Sequence, residues 1–406
     1  MYSSVRHTIL GAFSGISPKV WLLSLAMFIN RSGSMVIVFM TVYTTKYLNF
    51  SIEESGAIMA IFGLGSLAGV LLSGKITDKT GYLKVMIVSL FMGGLLFIIL
   101  GQIRTFIPMA ICSFFVSFFG EAFRPANMAA ISNYSKPEDF TRALSLNRLA
   151  VNLGFSIGPA LGGFLANHNY QYLFYADGLT CILAAMVIAF FVKTPTPNET
   201  TQNREVKSKL TGPSPLKDTP FLFFIFLCTL YATAFFQMFS TMPLYYKDVH
   251  HLSEYKIGLL MGFNGISVAA IEIILIYKIE KKLKPLQFVM LGAIMLTLNY
   301  LVLMFATNFA WLVLSMSLIT ISEMLAMPFM STFMIKRAVE GRKGAYASLY
   351  SMTWSIAQII SPIIATQTIA RDGHQSLWML FALFGIIITA GMHLLHGYTK
   401  NYEEVL

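Results

Sequence analysis

The chain has 406 residues, of which 56% are hydrophobic and only 12% are charged. Soluble globular domains carry roughly 25% charged residues, so this composition excludes a water-soluble protein and indicates a chain that buries apolar surface in lipid. A net charge of +10 would suit a nucleic-acid partner, but the basic residues sit where a membrane topology requires them, which excludes that interpretation.

Apolar stretches long enough to cross a bilayer, about 20 residues each, follow one another along the chain. The predicted spans lie at about 20–46, 55–74, 85–103, 106–134, 142–166, 172–192, 220–246, 256–277, 286–306, 308–334, 344–369 and 376–397. The predicted fold class is therefore all-α integral membrane, with about twelve transmembrane helices in two pseudo-symmetric six-helix bundles.

Basic residues indicate which loops face the cytoplasm, because Lys and Arg accumulate on that side. With the amino terminus inside, the inner loops hold 21 of the 29 Lys and Arg residues, the outer loops hold 5, and 3 lie within spans. We therefore expect a multi-pass protein with both termini in the cytoplasm. The same bias explains the positive net charge without any nucleic acid.

A polar, proline-rich stretch divides the chain. Residues 193–219 have no helical apolar period, which predicts a cytoplasmic linker. The linker would join an amino-terminal six-helix bundle, 1–192, to a carboxy-terminal one, 220–406.

The two predicted bundles are related by an internal repeat. At an offset of 202–203 residues, Pro125 lies over Pro328 and Pro159 lies over Pro362. Repeats arranged as parallel halves are typical of transporters, with the substrate site between the halves near the membrane midplane.

The connection after the second span carries spaced glycines, an aspartate and bases: Gly74, Asp78, Lys79, Gly81 and Lys84. Gly81 permits a tight turn, and Asp78 is suited to a helix N-terminus. This pattern resembles the signature loop between the second and third helices of the major facilitator superfamily, with Lys79 where arginine is usual. The resemblance implies the fold of that superfamily and a bacterial inner (plasma) membrane. It also implies that Asp78 contacts a helix end and locks one conformation.

The fifth span is rich in small residues and contains a proline: Gly154, Gly158, Pro159, Gly162 and Gly163. Small residues let another helix approach closely, and Pro159 bends its own helix. The run resembles the antiporter motif of drug–proton antiporters, which implies proton-coupled efflux of small lipophilic or cationic compounds. The fourth span lacks the arginine motif of that group, and the first lacks its proline-rich pattern. Proton-coupled uptake of a peptide, sugar or other metabolite therefore stays open.

Ionisable residues inside spans are the candidate proton and substrate groups, because a charge at bilayer depth costs about 2.5–3.5 kcal/mol or more. Glu121 and Glu323 lie near the midplane of the fourth and tenth spans, and Arg31 and Gln237 lie within the first and seventh. We predict that Glu121 or Glu323 carries the proton, since its proton affinity depends on burial and on an approaching arginine. Alternatively, Arg124 forms a fixed structural pair with Glu121, one helical turn away.

Three further charged residues lie nearer the membrane surfaces. Arg148 and Glu272 are predicted gate residues near the cytoplasmic ends, and Asp177 is predicted as a helix cap or an outer gate. The chain contains no zinc-protease, nucleophile-elbow or phosphate-binding lysine motif, so we expect no enzyme activity, no cofactor and no metal. The expected activity is secondary transport by alternating access. The expected partners are a small-molecule substrate, protons and the lipid bilayer, and the functional unit is expected to be a monomer.

Overall fold

The computed structural model describes residues 15–136, 139–192, 214–339 and 342–403, which are almost entirely helical. In chain order the helices are α1 Pro18–Ser32, α2 Met35–Val42, α3 Ile52–Thr80, α4 Tyr82–Leu100, α5 Phe106–Tyr134, α6 Phe140–His168, α7 Gln171–Phe191, α8 Thr219–Phe235, α9 Gln237–Asp248, α10 Glu254–Ile279, α11 Pro285–Phe305, α12 Phe309–Arg337 and α13 Lys343–Glu403. Most of the predicted linker, residues 193–213, lies outside the described residues.

Within the described ranges, ten helical stretches are long and apolar enough to cross a membrane. The longest, Lys343–Thr399, is interrupted at Gly373 (φ 79°), so α13 consists of a first limb before this break and a second limb after it. The 26-residue helix α10 is long enough to cross as well, although it carries several charges. With α1–α2 and α8–α9 each forming one broken span, the predicted all-α membrane fold is confirmed.

Capping side chains explain where several helices begin. The Asp218 carboxylate accepts a hydrogen bond from the backbone N–H of Phe221 at 3.1 Å, at the start of α8. The Asn308 side chain accepts one from Ala310 at 3.0 Å, at the start of α12. Short polar side chains at these positions satisfy N–H groups that have no partner inside the helix.

The connection between the second and third spans differs from the predicted loop. The helix α3 continues to Thr80, so Gly74, Asp78 and Lys79 are helical and only Gly81 separates α3 from α4. Gly81 has φ 86°, a left-handed conformation that favours glycine and ends the helix. The tight turn predicted at Gly81 is present, and α3 runs further than its predicted end at residue 74 because residues 75–80 contain neither proline nor glycine to stop the helix.

The contacts divide the chain into two compact units. Unit 1 comprises Met1–Val36 and Leu64–Glu205, and unit 2 comprises Ile37–Gly63 and Val206–Leu406. The apolar core of unit 1 is formed by buried side chains of α1, α4, α5, α6 and α7. In unit 2, Trp378 is fully buried and stacks on Tyr300 with ring centres 5.7 Å apart.

Residues 37–63, which end the first span and begin the second, pack within unit 2. Lys46 Nζ lies 2.6 Å from Asp248 Oδ1 at the end of α9. An added Cβ at Gly56 would run into Thr366, and one at Gly63 would lie 2.9 Å from the carbonyl oxygen of Gln358. Glycines in this segment therefore let its backbone pack closely against the first limb of α13.

Inside unit 1, α3 packs closely on α5 through two glycines. A Cβ added to Gly65 or Gly69 would collide with the backbone carbonyl of Phe114 or Phe118, respectively. Backbone atoms cannot move aside as a flexible side chain can, so these positions exclude any larger residue unless the helices separate.

Gly65→Ala is therefore expected to destabilise the folded protein by about 1–3 kcal/mol, the usual cost of overpacking. Gly74→Ala is the matched control in the same helix, because an added Cβ at Gly74 meets nothing within 4 Å. This control should be neutral, or stabilising by about 0.5–1 kcal/mol, since alanine is the better helix former. Thermal unfolding in detergent measures both variants, and equal melting temperatures would contradict the close packing of α3 on α5.

Candidate functional site

The first membrane span is broken at Gly33 and Ser34, between α1 and α2. The Ser34 hydroxyl donates to the Arg31 carbonyl at 2.7 Å, which satisfies an acceptor left at the end of α1. Non-helical backbone at membrane depth is tolerated where it is buried in protein and its polar groups find partners. The break lies next to Arg31, the first of the predicted site residues.

Arg31 forms an ion pair with Glu121 of α5. Both terminal guanidinium nitrogens lie 3.5 Å from Glu121 Oε1, and the side chains are 15% and 21% exposed. The guanidinium carbon also lies 5.5 Å from the centre of the Phe155 ring, within cation–π distance. Arg124, the alternative partner of Glu121, is exposed and forms no ion pair with any described residue.

The glycines of the antiporter-like motif in α6 let α1 approach at Arg31. A Cβ added to Gly154 would lie 2.6 Å from the Arg31 Cβ, and one added to Gly158 would lie 3.0 Å from the Ser32 carbonyl oxygen. The predicted close helix approach is therefore made to the helix that carries Arg31. The other motif residues are buried in α6: Pro159, Gly162 and Gly163.

Asp177 of α7 caps α2 although it is distant in sequence. Its fully buried carboxylate accepts hydrogen bonds from the backbone N–H groups of Met35 at 3.0 Å and of Val36 at 2.8 Å. These two amides open α2, where N–H groups lack helical partners and a negative charge is favourable. Of the two roles predicted for Asp177, this geometry is that of a helix cap.

Glu323 of α12 is the repeat equivalent of Glu121 at an offset of 202 residues. It is half-buried, and its Oε2 accepts a hydrogen bond from the Asn264 amide of α10 at 3.1 Å. The same amide lies 3.0 Å from the Thr320 hydroxyl. The Asn264 amide thus contacts Glu323, and the Arg31 guanidinium contacts Glu121.

Gln237 opens α9 at the break of the seventh span and is fully buried. Its amide nitrogen donates to the Ser361 hydroxyl at 2.7 Å and to the Thr233 carbonyl at 3.1 Å. Its amide oxygen accepts from the Thr241 hydroxyl at 2.5 Å. These bonds join the break to the first limb of α13, and a substrate contact for Gln237 stays a prediction.

The breaks of the first and seventh spans are related by the internal repeat. At the repeat offset, Arg31 aligns with Thr233, and Gly158 aligns with Ser361. In unit 1, Gly158 gives room to the α1 backbone, whereas in unit 2 the Ser361 hydroxyl donates to the Thr233 carbonyl at 2.9 Å. A serine hydrogen bond in one unit thus takes the place of a close backbone contact in the other.

The remaining predicted residues differ in how exposed they are. Arg148 is exposed on α6, and Glu272 is buried in α10, and their gate roles stay predictions. On the signature segment, the charged residues that the resemblance assigns to a conformational lock are exposed: Asp78, Lys79 and Lys84.

The sequence reasoning missed a cluster at the start of α8. The Arg337 guanidinium donates to the Asp218 carboxylate at 2.7 and 2.9 Å, and the Tyr346 hydroxyl donates to it at 3.0 Å. The Asp-Thr-Pro sequence at 218–220 is a helix-start signal that predicts the cap. The partners lie 119 and 128 residues away, and no local pattern identifies them.

A multi-pass helical membrane fold with broken spans beside buried and half-buried carboxylates is typical of transporters. The model of the Major Facilitator Superfamily matches residues 22–362. The chain belongs to this superfamily of transporters.

Three relatives cover most of the chain. The MFS-type transporter YqjV of Bacillus subtilis (strain 168) is 23% identical over 96% of this chain and 96% of its own length. The Na(+), Li(+), K(+)/H(+) antiporter of Planococcus maritimus is 22% identical over 84% of this chain and 87% of its own. Multidrug resistance protein 1 of Bacillus subtilis (strain 168) is 24% identical over 83% and 86%, respectively.

Among solved structures, the nucleoside transporter NupG superposes with a TM-score of 0.76. It is 15% identical, and the match covers 93% of this chain and 99% of that one. At this identity the likeness shows the fold alone.

Proposed function

We propose that this transporter exports small lipophilic or cationic compounds in exchange for protons, by alternating access. The observation that carries the proposal is the Arg31–Glu121 ion pair, which lies at the α1 break beside the glycines of the antiporter-like motif. An arginine beside a carboxylate favours the ionised form, and its withdrawal favours proton uptake. Separating the pair in one conformation and re-forming it in another would therefore load a proton onto Glu121 and release it.

Aromatic side chains at the break of the seventh span would suit a lipophilic cation. Phe236 lies at the break of the seventh span, half-buried, with its ring centre 6.2 Å from that of Trp354 and 6.5 Å from that of Phe239. The Tyr231 hydroxyl, in the same helix region, is bonded at 2.8 Å to Ser322, the residue before Glu323. Aromatic faces attract organic cations, and the Glu323 carboxylate of the same unit would add an opposite charge.

Relatives support the same proposal. One is named a multidrug resistance protein and another a cation/H(+) antiporter, and each aligns over more than four fifths of this chain. The competing function is proton-coupled uptake of a peptide, sugar or other metabolite. A transport assay in liposomes distinguishes it from export.

The test uses purified protein in liposomes that enclose a pH dye, with a panel of lipophilic cations added to one side. Substrate addition is expected to drive proton movement in the parent protein. Glu121→Gln should abolish it because the exchangeable proton site is lost. Glu323→Gln should weaken the response to cations because a carboxylate that would attract them is neutralised.

Glu53→Gln is the control, since Glu53 is an exposed glutamate at the start of α3. It should behave like the parent protein. An absence of proton movement with every cation, together with proton movement driven by peptides, sugars or nucleosides, would replace the export proposal with uptake.

A further inference from the structure

The helix α7 presents three side chains on one face to the break of the first span. Asp177 bonds the first amides of α2, Thr180 fills the space in front of Gly33, and Cys181 accepts a hydrogen bond from Asn30 at 3.3 Å. Positions i, i+3 and i+4 share one face of a helix. This stripe, Asp177–Thr180–Cys181, therefore contacts the end of α1, the break itself and the start of α2.

A neighbouring face of α7, next to the stripe, is fixed to α4. A Cβ added to Gly178 would lie 2.7 Å from the Gly94 carbonyl oxygen, and one added to Gly94 would lie 2.6 Å from the Gly178 carbonyl oxygen. Such close packing on backbone atoms leaves α7 little freedom to slide or turn. The stripe is thus carried by a rigid support.

The break depends on Asp177 because no local residue caps α2. Ser34 directly precedes α2, in the position where a hydroxyl normally accepts from the first turn. Its hydroxyl instead donates backwards to the Arg31 carbonyl at 2.7 Å. The Asp177 carboxylate supplies the missing acceptor for both Met35 and Val36.

The same break sets the position of Arg31. Arg31 lies at the end of α1, where its carbonyl accepts from Ser34 and its Cβ faces Gly154. If α1 ended at a different residue, the Arg31 guanidinium would turn away from Glu121. We propose that Asp177 is a positioning residue for the Arg31–Glu121 pair, acting through the cap on α2. The effect on coupling rests on the proton-coupled function proposed above.

The test compares Asp177→Ala and Asp177→Asn with the parent protein and with Asp372→Asn, which alters an exposed aspartate. Substrate flux and proton flux are recorded together in the same liposomes. The number of protons moved per substrate is expected to fall in Asp177→Ala, because loss of the cap on α2 would shift the break and take Arg31 away from Glu121. Asp177→Asn should give an intermediate value, because its single amide oxygen replaces only part of the cap.

A role confined to stability would lower both fluxes together and leave their ratio unchanged, and that result would overturn the proposal. If Asp177→Ala does not fold, the ratio measured for Asp177→Asn decides. The ratio of Asp372→Asn should equal that of the parent protein.

A second measurement does not depend on proton coupling. Arginine labelling with phenylglyoxal, read by peptide mass spectrometry, reports how accessible Arg31 is, with the exposed Arg124 as the internal reference. Arg31 labelling should rise severalfold in Asp177→Ala, and unchanged labelling would overturn the positioning role. A parent protein that moves no protons would refute the proposed function, while this labelling would still decide the role of Asp177.

Discussion

Replacing Arg31 by glutamine is expected to abolish substrate-driven proton movement, while the same replacement at Arg124 leaves it close to the parent level. Arg31 lies 3.5 Å from Glu121, whereas Arg124 is exposed and has no ion pair among the described residues. Both variants remove one positive charge from within a span, so the comparison isolates the ion pair from the net charge.

The expected size of the effect follows from the cost of an unpartnered charge. A carboxylate at bilayer depth costs about 2.5–3.5 kcal/mol on insertion scales, which corresponds to roughly a 100-fold penalty on the state that contains it. Arg31→Gln leaves Glu121 in that situation. In the double variant Arg31→Gln/Glu121→Gln neither charge remains, so the folded protein should regain stability without regaining proton coupling.

The double-mutant cycle compares Arg31→Gln, Glu121→Gln and the double variant with the parent protein. For each protein we would measure proton flux, substrate counterflow and thermal stability. Strictly additive losses of stability would mean that Arg31 and Glu121 do not interact. Loss of coupling in Arg124→Gln equal to that in Arg31→Gln would restore Arg124 as the partner of Glu121.

A second large effect is expected at the antiporter-like motif. Gly154→Ala places a methyl group where the Arg31 Cβ already lies 2.6 Å away, so α1 must move or α6 must bend. The expected cost is about 1–3 kcal/mol of stability. Because the displaced residue is Arg31 itself, transport should fall at least about tenfold, which corresponds to about 1.4 kcal/mol.

Gly120→Ala is the matched control, since Gly120 directly precedes Glu121 and an added Cβ there meets nothing within 4 Å. This variant should keep full transport and gain a little stability from better helix propensity. The measurements are initial transport rates at equal amounts of folded protein, determined by size-exclusion chromatography. Full transport by Gly154→Ala would show that α1 does not need this close approach to α6.

The sequence predicts the individual site residues better than their partners. Arg31 and Glu121 stand out because charges within apolar spans are rare and costly. Their pairing joins residues 90 positions apart and depends on how α1 packs on its neighbours, which no local pattern encodes. Helical spacing alone favours Arg124 as the partner, yet its side chain lies on the exposed side of α5.

Neutral partners are harder still to predict. Asn264 lies in an apolar run and has no charge to mark it, although it donates to Glu323 at 3.1 Å. Ser361 appears in the repeat only as the residue that replaces a glycine, and its hydrogen bonds emerge once α13 is placed beside α8 and α9. The repeat relates the second break to the first, but it does not indicate which contacts hold either one.

The assignment of residues 37–63 to unit 2 has a consequence for any attempt to divide the gene. A polypeptide that ended in the predicted linker would carry this segment without Asp248, the partner of Lys46, and without the α13 surface that packs against Gly56 and Gly63. A separately produced carboxy-terminal fragment would lack residues 37–63, which pack within unit 2 in the whole chain. Because a segment from the amino-terminal part of the chain completes unit 2, the arrangement resembles a domain swap within one chain. Split halves would therefore be expected to regain activity through complementation, with both fragments made in the same membrane.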